Sequence, residues 1–173
     1  MTWPIVPLDL GAHGAEAVAL SLAALRTVDQ DVRPPEYLAG AGDWPGVVTR
    51  CAVDDGRMIG LAVGWPGSTS TWWSDRVRPA LIASGTEVWL DGAFEVCELH
   101  VHPVHHGRGI GTALLRALLS GRTEERAALS VRAINEGAER FYERHGFTRL
   151  TEPFRFDGHG PDYRVLGAPL PLP

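Results

Sequence analysis

The chain has 173 residues, 45% of them hydrophobic and 21% charged, with a formal net charge of −5. That length predicts one domain, residues 1–173, with a buried core. The acidic balance argues against nucleic acid as a partner and mildly favours a cationic one.

Residues 3–8 are apolar and proline-flanked, which predicts an edge strand. Val18, Leu22 and Leu25 fall at helical spacing, predicting a first helix over 15–28. Pro34 and Pro35 can open a second, short helix over 36–39. Two apolar runs, 47–53 and 58–63, flank Asp54-Asp55-Gly56-Arg57 and read as a hairpin. Residues 65–92 are the least regular stretch, with a short helix near 74–83. A strand over 94–102, a helix over 112–119, a strand over 129–133 and a helix over 137–145 follow. Gly146 fits a left-handed cap on the last of these. Residues 148–156 and 163–166 read as a late hairpin, and the proline-rich tail 168–173 as loose. The order predicts an α/β fold: three layers, α/β/α, around a central mixed, mostly antiparallel sheet. No stretch reads as a leader or a membrane-length apolar run, so a cytoplasmic location is expected. Cys51 and Cys97 lie in apolar runs and are expected to be buried free thiols. All sixteen basic residues are arginine, so the chain offers no lysine side chain for modification.

The stretch richest in chemistry is His106-Gly107-Arg108-Gly109-Ile110-Gly111, ahead of the helix that begins with Thr112. Alternating glycines between a strand and a helix leave backbone N–H groups uncovered at a helix start. Those donors and the helix dipole favour a phosphate group. A plain packing turn is the alternative. The loop lacks the Gly-Lys-Ser/Thr of a nucleotide-triphosphate loop, and its Gly107-x-Gly109-x-Gly111 spacing is tighter than the dinucleotide fingerprint.

A second block lies downstream. Asn135, Ala138, Phe141, Tyr142, Gly146 and Phe147 fall at the spacing Asn-x-x-Ala-x-x-Phe-Tyr-x-x-x-Gly-Phe. With the glycine turn, this block resembles the GNAT (Gcn5-related N-acetyltransferase) superfamily. The resemblance implies acetyl-CoA as donor, held at its pyrophosphate by the backbone of His106, Gly107, Arg108, Gly109, Ile110, Gly111 and Thr112. His106 stands where the family places Arg or Gln, so its side chain is expected to add little. The resemblance also implies that the strand end at Leu99, His100 and Val101 splays and pairs with the pantetheine arm. Val101 N–H would then donate to the thioester carbonyl, and Asn135 would contact the cofactor or cap its helix.

Acetyl transfer to an amine needs a neutral amine, donors for the developing oxyanion and a proton for the leaving thiolate. Tyr142 resembles the family's general acid, a phenol whose pKa exceeds that of a thiol. Glu95 and Glu98 are the candidate bases, with the resemblance favouring Glu95 and His100 an alternative. A strand sends residues three apart to opposite faces unless it bulges. Trp65, Trp72, Trp73 and Trp89 are candidates to line an acceptor pocket. The expected activity is acetyl-CoA-dependent N-acetylation of a small-molecule or peptide amine by direct transfer. A non-catalytic acyl-CoA sensor is the alternative, and so is a metal-binding protein built on His100, His102, His105 and His106. No metal is expected. The expected partners are acetyl-CoA and an amine, with no nucleic acid and no membrane, and a homodimer left open.

Overall fold

The structure is a computed structural model that describes residues 3–68 and 71–173. The irregular stretch expected over 65–92 therefore includes two residues, 69 and 70, outside the described ones. The chain packs as two compact units, Met1–Trp65 with Val96–Ser120, and Pro66–Glu95 with Gly121–Pro173.

The first unit opens with β1 (Ile5–Val6), which pairs antiparallel with β2 (Val48–Asp54), and β2 pairs antiparallel with β3 (Arg57–Pro66). The β2–β3 turn places Asp55 at φ 45° and Gly56 at φ 75°, the pair of positive values that suits a two-residue hairpin. The edge strand and the hairpin are where the sequence puts them. Helix α1 (Leu10–Leu25) begins five residues earlier than its apolar spacing predicts. Asp9 explains the early start: its carboxylate accepts the Ala12 N–H at 3.1 Å and satisfies one of the open donors of the first turn. Gly14 interrupts the sequence pattern for a packing reason. A Cβ there would lie 2.8 Å from the Cα of Ala39, in the 3-10 helix Glu36–Asp43. The core of this unit gathers Leu8, Leu10, Leu20, Leu38, Leu61, Val63 and Trp65.

In the second unit the first residues of β4 (Ala93–Val101) run parallel to β5 (Arg126–Arg132), with Ala93–Glu95 opposite Arg126–Ala128. β5 then pairs antiparallel with β8 (Asp162–Pro169). The parallel pair, with antiparallel partners on β5 and throughout the first unit, makes the sheet mixed and mostly antiparallel, as expected. The late hairpin differs. Its first arm splits into β6 (Thr148–Arg149) and β7 (Phe154–Arg155), each pairing with β8. Pro153 lies in the gap, where a strand would need an N–H that proline lacks. The tail is not loose at its start: Ala168 is fully buried, and Leu170 N–H donates to the Glu125 carbonyl at 2.8 Å. Helix α2 (Trp72–Ala83) is closed by a reciprocal Thr71–Ser74 capping box, and Val77 and Leu81 join Leu90, Leu150 and Val165 in a core cluster. Both cysteines are free thiols, Cys51 buried and Cys97 half-buried.

Helix α3 (Ile110–Leu119) seats its apolar stripe in the first unit, with Leu114, Leu115 and Leu118 buried. Gly60 on β3 makes that seat close. A Cβ there would lie 2.9 Å from a Leu114 methyl and 3.1 Å from the His100 carbonyl oxygen. Gly60→Val should therefore cost about 1–3 kcal/mol by overpacking. Urea denaturation checks this, with a lower midpoint and an unchanged slope expected.

Candidate active site

The glycine turn lies wholly in the first unit. A 3-10 turn, Pro103–His105, leads into it, and α3 begins at Ile110, two residues before the sequence pattern places it. Gly107 and Gly109 take φ values of 73° and 80°, a left-handed conformation open to glycine at little cost, and a Cβ at either would meet open space. Gly109 is the N-cap of α3 and gives it no side-chain hydrogen bond. Three other helix starts are capped by side chains. Asp9 caps α1, Thr71 caps α2, and Asn135 accepts the Ala138 N–H at 3.0 Å to cap α4 (Glu136–Glu143). The start of α3 thus carries no side-chain cap and has open space beside Gly107 and Gly109, with the positive pole of a helix behind it.

His106 turns away from that end. Its Nε2–H donates to the Val101 carbonyl at 2.8 Å, which ties the turn back to the end of β4. The Val101 carbonyl is the last acceptor of the strand, so the imidazole closes the strand end rather than adding a cation to the turn.

Along β4 the two candidate carboxylates stand in different settings. Glu95, in the second unit, is only 4% exposed, and its Oε1 accepts the Thr71 hydroxyl at 3.0 Å. The backbone packs tightly beside it: Gly67 N–H donates to the Ala93 carbonyl at 2.7 Å. Glu98, in the first unit, accepts from the Tyr37 hydroxyl through Oε1 and meets His100 Nε2 through Oε2. The Glu98 and His100 side chains are 13% and 12% exposed. Glu98 is therefore no solvated strand residue. Burial of its hydroxyl end, then the negative charge of Glu98, pushes the Tyr37 phenol well above the usual tyrosine range. The Tyr37 residue as a whole is 45% exposed, and its hydroxyl donates to Glu98.

Tyr142 on α4 is 8% exposed and packs edge-on against Phe141 and Phe147, with ring centroids 5.1 and 5.3 Å away. Gly146 closes this helix at φ 88°, as its place in the sequence predicts. The same helix carries Glu139, a buried carboxylate held by Arg149 and, at 3.3 Å, by Arg164. That is an anchoring ion pair, and sequence spacing gave no sign of it.

The tryptophans do not share one pocket. Trp65 belongs to the core of the first unit and stacks on Trp44 at 4.3 Å. Trp73 and Trp89 pack on the core cluster of the second, where Trp73 Nε1–H donates to Ser130 Oγ at 3.1 Å. Trp72 is 59% exposed, with the Arg76 guanidinium 4.3 Å above its ring. A groove of about 490 Å³ nearby is lined by Asp75, Arg76, Pro79 and Phe154, and by none of the expected site residues. Among the described residues no group of three or more His, Cys, Asp or Glu side chains is arranged to hold a metal ion. No described helix is long and apolar enough to cross a membrane.

A family model for the acetyltransferase (GNAT) domain matches residues 48–149. The chain belongs to the GNAT acetyltransferase family. A GCN5-like protein acetyltransferase of Mycobacterium tuberculosis is 35% identical over 142 residues, covering 78% of this acetyltransferase and 69% of that protein. Two solved structures share the fold. An acetyltransferase from Thermus thermophilus superposes with a TM-score of 0.68 at 16% identity, each chain 98% covered. The PaiA N-acetyltransferase of Thermoplasma acidophilum, solved with coenzyme A, does so with 0.64 at 14%, covering 98% of this chain and 99% of that one.

The raised Tyr37 fixes a pH window. A proton held more tightly in the folded state stabilises the fold fully below the ordinary tyrosine value, and that stability is lost as pH rises above it. Tyr37 should remain neutral at about pH 11, where an ordinary phenol is largely ionised. Phenolate absorbance of the native protein and of Tyr37→Phe should then coincide up to that pH.

Proposed function

We propose that this acetyltransferase moves an acetyl group from acetyl-CoA to a primary amine of a small molecule or peptide, by direct transfer without an acyl-enzyme. One observation carries the reading: the left-handed, side-chain-free start of α3 at Gly107 and Gly109. Its open space suits a bulky pyrophosphate, and its donors suit that group's charge. The backbone from His106 through Gly107, Arg108, Gly109, Ile110 and Gly111 to Thr112 would hold the pyrophosphate. Leu99, His100 and Val101 would offer backbone partners to the pantetheine arm, and Asn135 would add a contact without giving up its cap.

When bound, acetyl-CoA supplies an acetyl group already activated as a thioester. The chain's own residues do the rest. Val101 N–H donates to the carbonyl oxygen as charge develops there. Tyr142 gives its proton to the departing sulfur. The amine's proton would go to a residue of β4, where Glu95 and Glu98, which differ in their surroundings, are the candidate carboxylates and His100 is the alternative. Glu95 is nearly enclosed and already bonded to Thr71, whereas Glu98 keeps some contact with solvent and lies beside an imidazole.

A screen of acetyl-CoA consumption over amino acids, polyamines, aminoglycosides and peptides tests the activity; no turnover with any class would sink it. Gly109→Val, folded by circular dichroism, should abolish acetyl-CoA binding in calorimetry. His106→Ala should weaken binding only slightly, because its imidazole faces Val101. Full affinity in folded Gly109→Val would remove the cradle from the site.

Tyr142→Phe should lower kcat by about 10²–10⁴-fold, the usual worth of general acid catalysis. Acetyl-CoA affinity should change little. A matching loss in affinity would show instead that the ring packs the site and donates no proton.

A further inference from the structure

We propose that His100 accepts the proton of the incoming ammonium, with Glu98 holding the imidazole in one tautomer and Tyr37 holding Glu98 in place. The assignment rests on the N-acetyltransferase reading above and names the group that makes the amine reactive.

Three features of the first unit converge on it. Both oxygens of Glu98 are engaged, Oε1 by the Tyr37 hydroxyl and Oε2 by His100 Nε2. A carboxylate fixed at both ends cannot rotate freely, so the imidazole it holds is fixed as well. His100 and Glu98 are two apart on a strand and share a face, so their contact needs no distortion of β4. Their partners also differ in kind from those of the chain's structural carboxylate. Glu139 is neutralised by two guanidinium groups, Arg149 and Arg164. Glu98 meets a phenol and an imidazole instead, and Tyr37 is held in its neutral, donating form. The negative charge of Glu98 is therefore left to stabilise a proton arriving on His100.

The tautomer follows from the geometry. A carboxylate accepts, so His100 Nε2 carries the hydrogen and the lone pair lies on Nδ1. The carboxylate beside it pairs the imidazolium as it forms.

The protons balance. His100 Nδ1 takes one proton from the ammonium, which frees the nitrogen lone pair. That pair forms the amide C–N bond as the thioester C–S bond breaks. The sulfur takes the Tyr142 proton. The second proton lost by the nitrogen on becoming an amide restores Tyr142, and His100 returns its proton to water. One proton is released for each ammonium acetylated.

Long-range 1H–15N correlation spectra of the full chain test the geometry without turnover. His100 should show the Nε2–H tautomer, and Glu98→Ala should abolish that preference. A wild-type His100 in the Nδ1–H form overturns the assignment. Turnover against the panel of amino acids, polyamines, aminoglycosides and peptides tests the chemistry. His100→Gln should lower kcat about 10²–10⁴-fold, the range for general base catalysis, with the KM for acetyl-CoA little changed. Added imidazole should restore part of the rate of His100→Ala. Tyr37→Phe, at a partly exposed position, should lower kcat roughly tenfold, the worth of one hydrogen bond to a charged group. An active wild-type protein beside a His100→Gln variant of undiminished kcat overturns the assignment alone. A wild-type protein that neither binds acetyl-CoA nor acetylates any amine overturns the activity itself, and the role of His100 with it.

Discussion

Strand β4 is the element on which the rest depends, because its hydrogen bonding changes partway along. Its first three residues, Ala93–Glu95, pair with β5 in the second unit. From Val96 onward it belongs to the first unit, where the chain just past its end is fixed by the His102 N–H on the Ile59 carbonyl at 2.9 Å. A single strand thus supplies a buried carboxylate to one unit and the Glu98–His100 pair to the other. Its end leads directly into the glycine turn. A shift of one residue in the register of β4 would turn Glu98 and His100 to the opposite face and move the start of α3 with them. Gly60 guards that register from the β3 side, since only a residue without a side chain lets the His100 carbonyl and Leu114 approach so closely.

The buried carboxylates fall into two kinds according to the partners that hold them. Glu139 and its two arginines cancel each other's charge and join α4 to the neighbouring strands β6 and β8. Removing one partner of such a set leaves an uncompensated charge, which is why anchoring pairs tend to be saturated. Glu95 and Glu98 are satisfied by hydroxyl and imidazole groups, which orient a carboxylate without neutralising it.

Features carried by local sequence were legible. The alternating glycines foretold a strand–turn–helix, Asn135 foretold a cap, and Gly146 a left-handed stop, because each depends on residues within four or five positions. The apolar spacing of Val18, Leu22 and Leu25 places α1 only from residue 15, and His13 in the first turn, at φ −120°, departs from helical geometry. The cap at Asp9 and the packing of Gly14 on Ala39 outweigh that local weakness. The second half of the site was not legible. Tyr37 reaches Glu98 across 61 residues and Thr71 reaches Glu95 across 24. Tyr37 sits in a 3-10 helix with no motif, and nothing in the periodicity of residues 36–43 separates it from a surface tyrosine. The tryptophan-rich stretch is partly legible, since a core place for each tryptophan is the alternative to a shared pocket. Clustering in sequence suggested one pocket, yet the side chains disperse among two cores and a surface stack.

The proposed donor is a polyanion, and the chain is acidic. At a net charge of −5 the long-range field disfavours the encounter. The start of α3 resolves this locally. Its attraction comes from oriented N–H groups and a helix dipole, which act within the first turn and are fixed by the fold. His106, the one titratable side chain that begins the turn, is committed to the Val101 carbonyl. The same net charge would favour an ammonium acceptor of the proposed kind, and Glu98 is oriented on β4 by Tyr37 and His100. In the proposed reaction backbone dipoles would serve the anion and carboxylates the cation, so that one lysine-free chain would accommodate substrates of opposite charge.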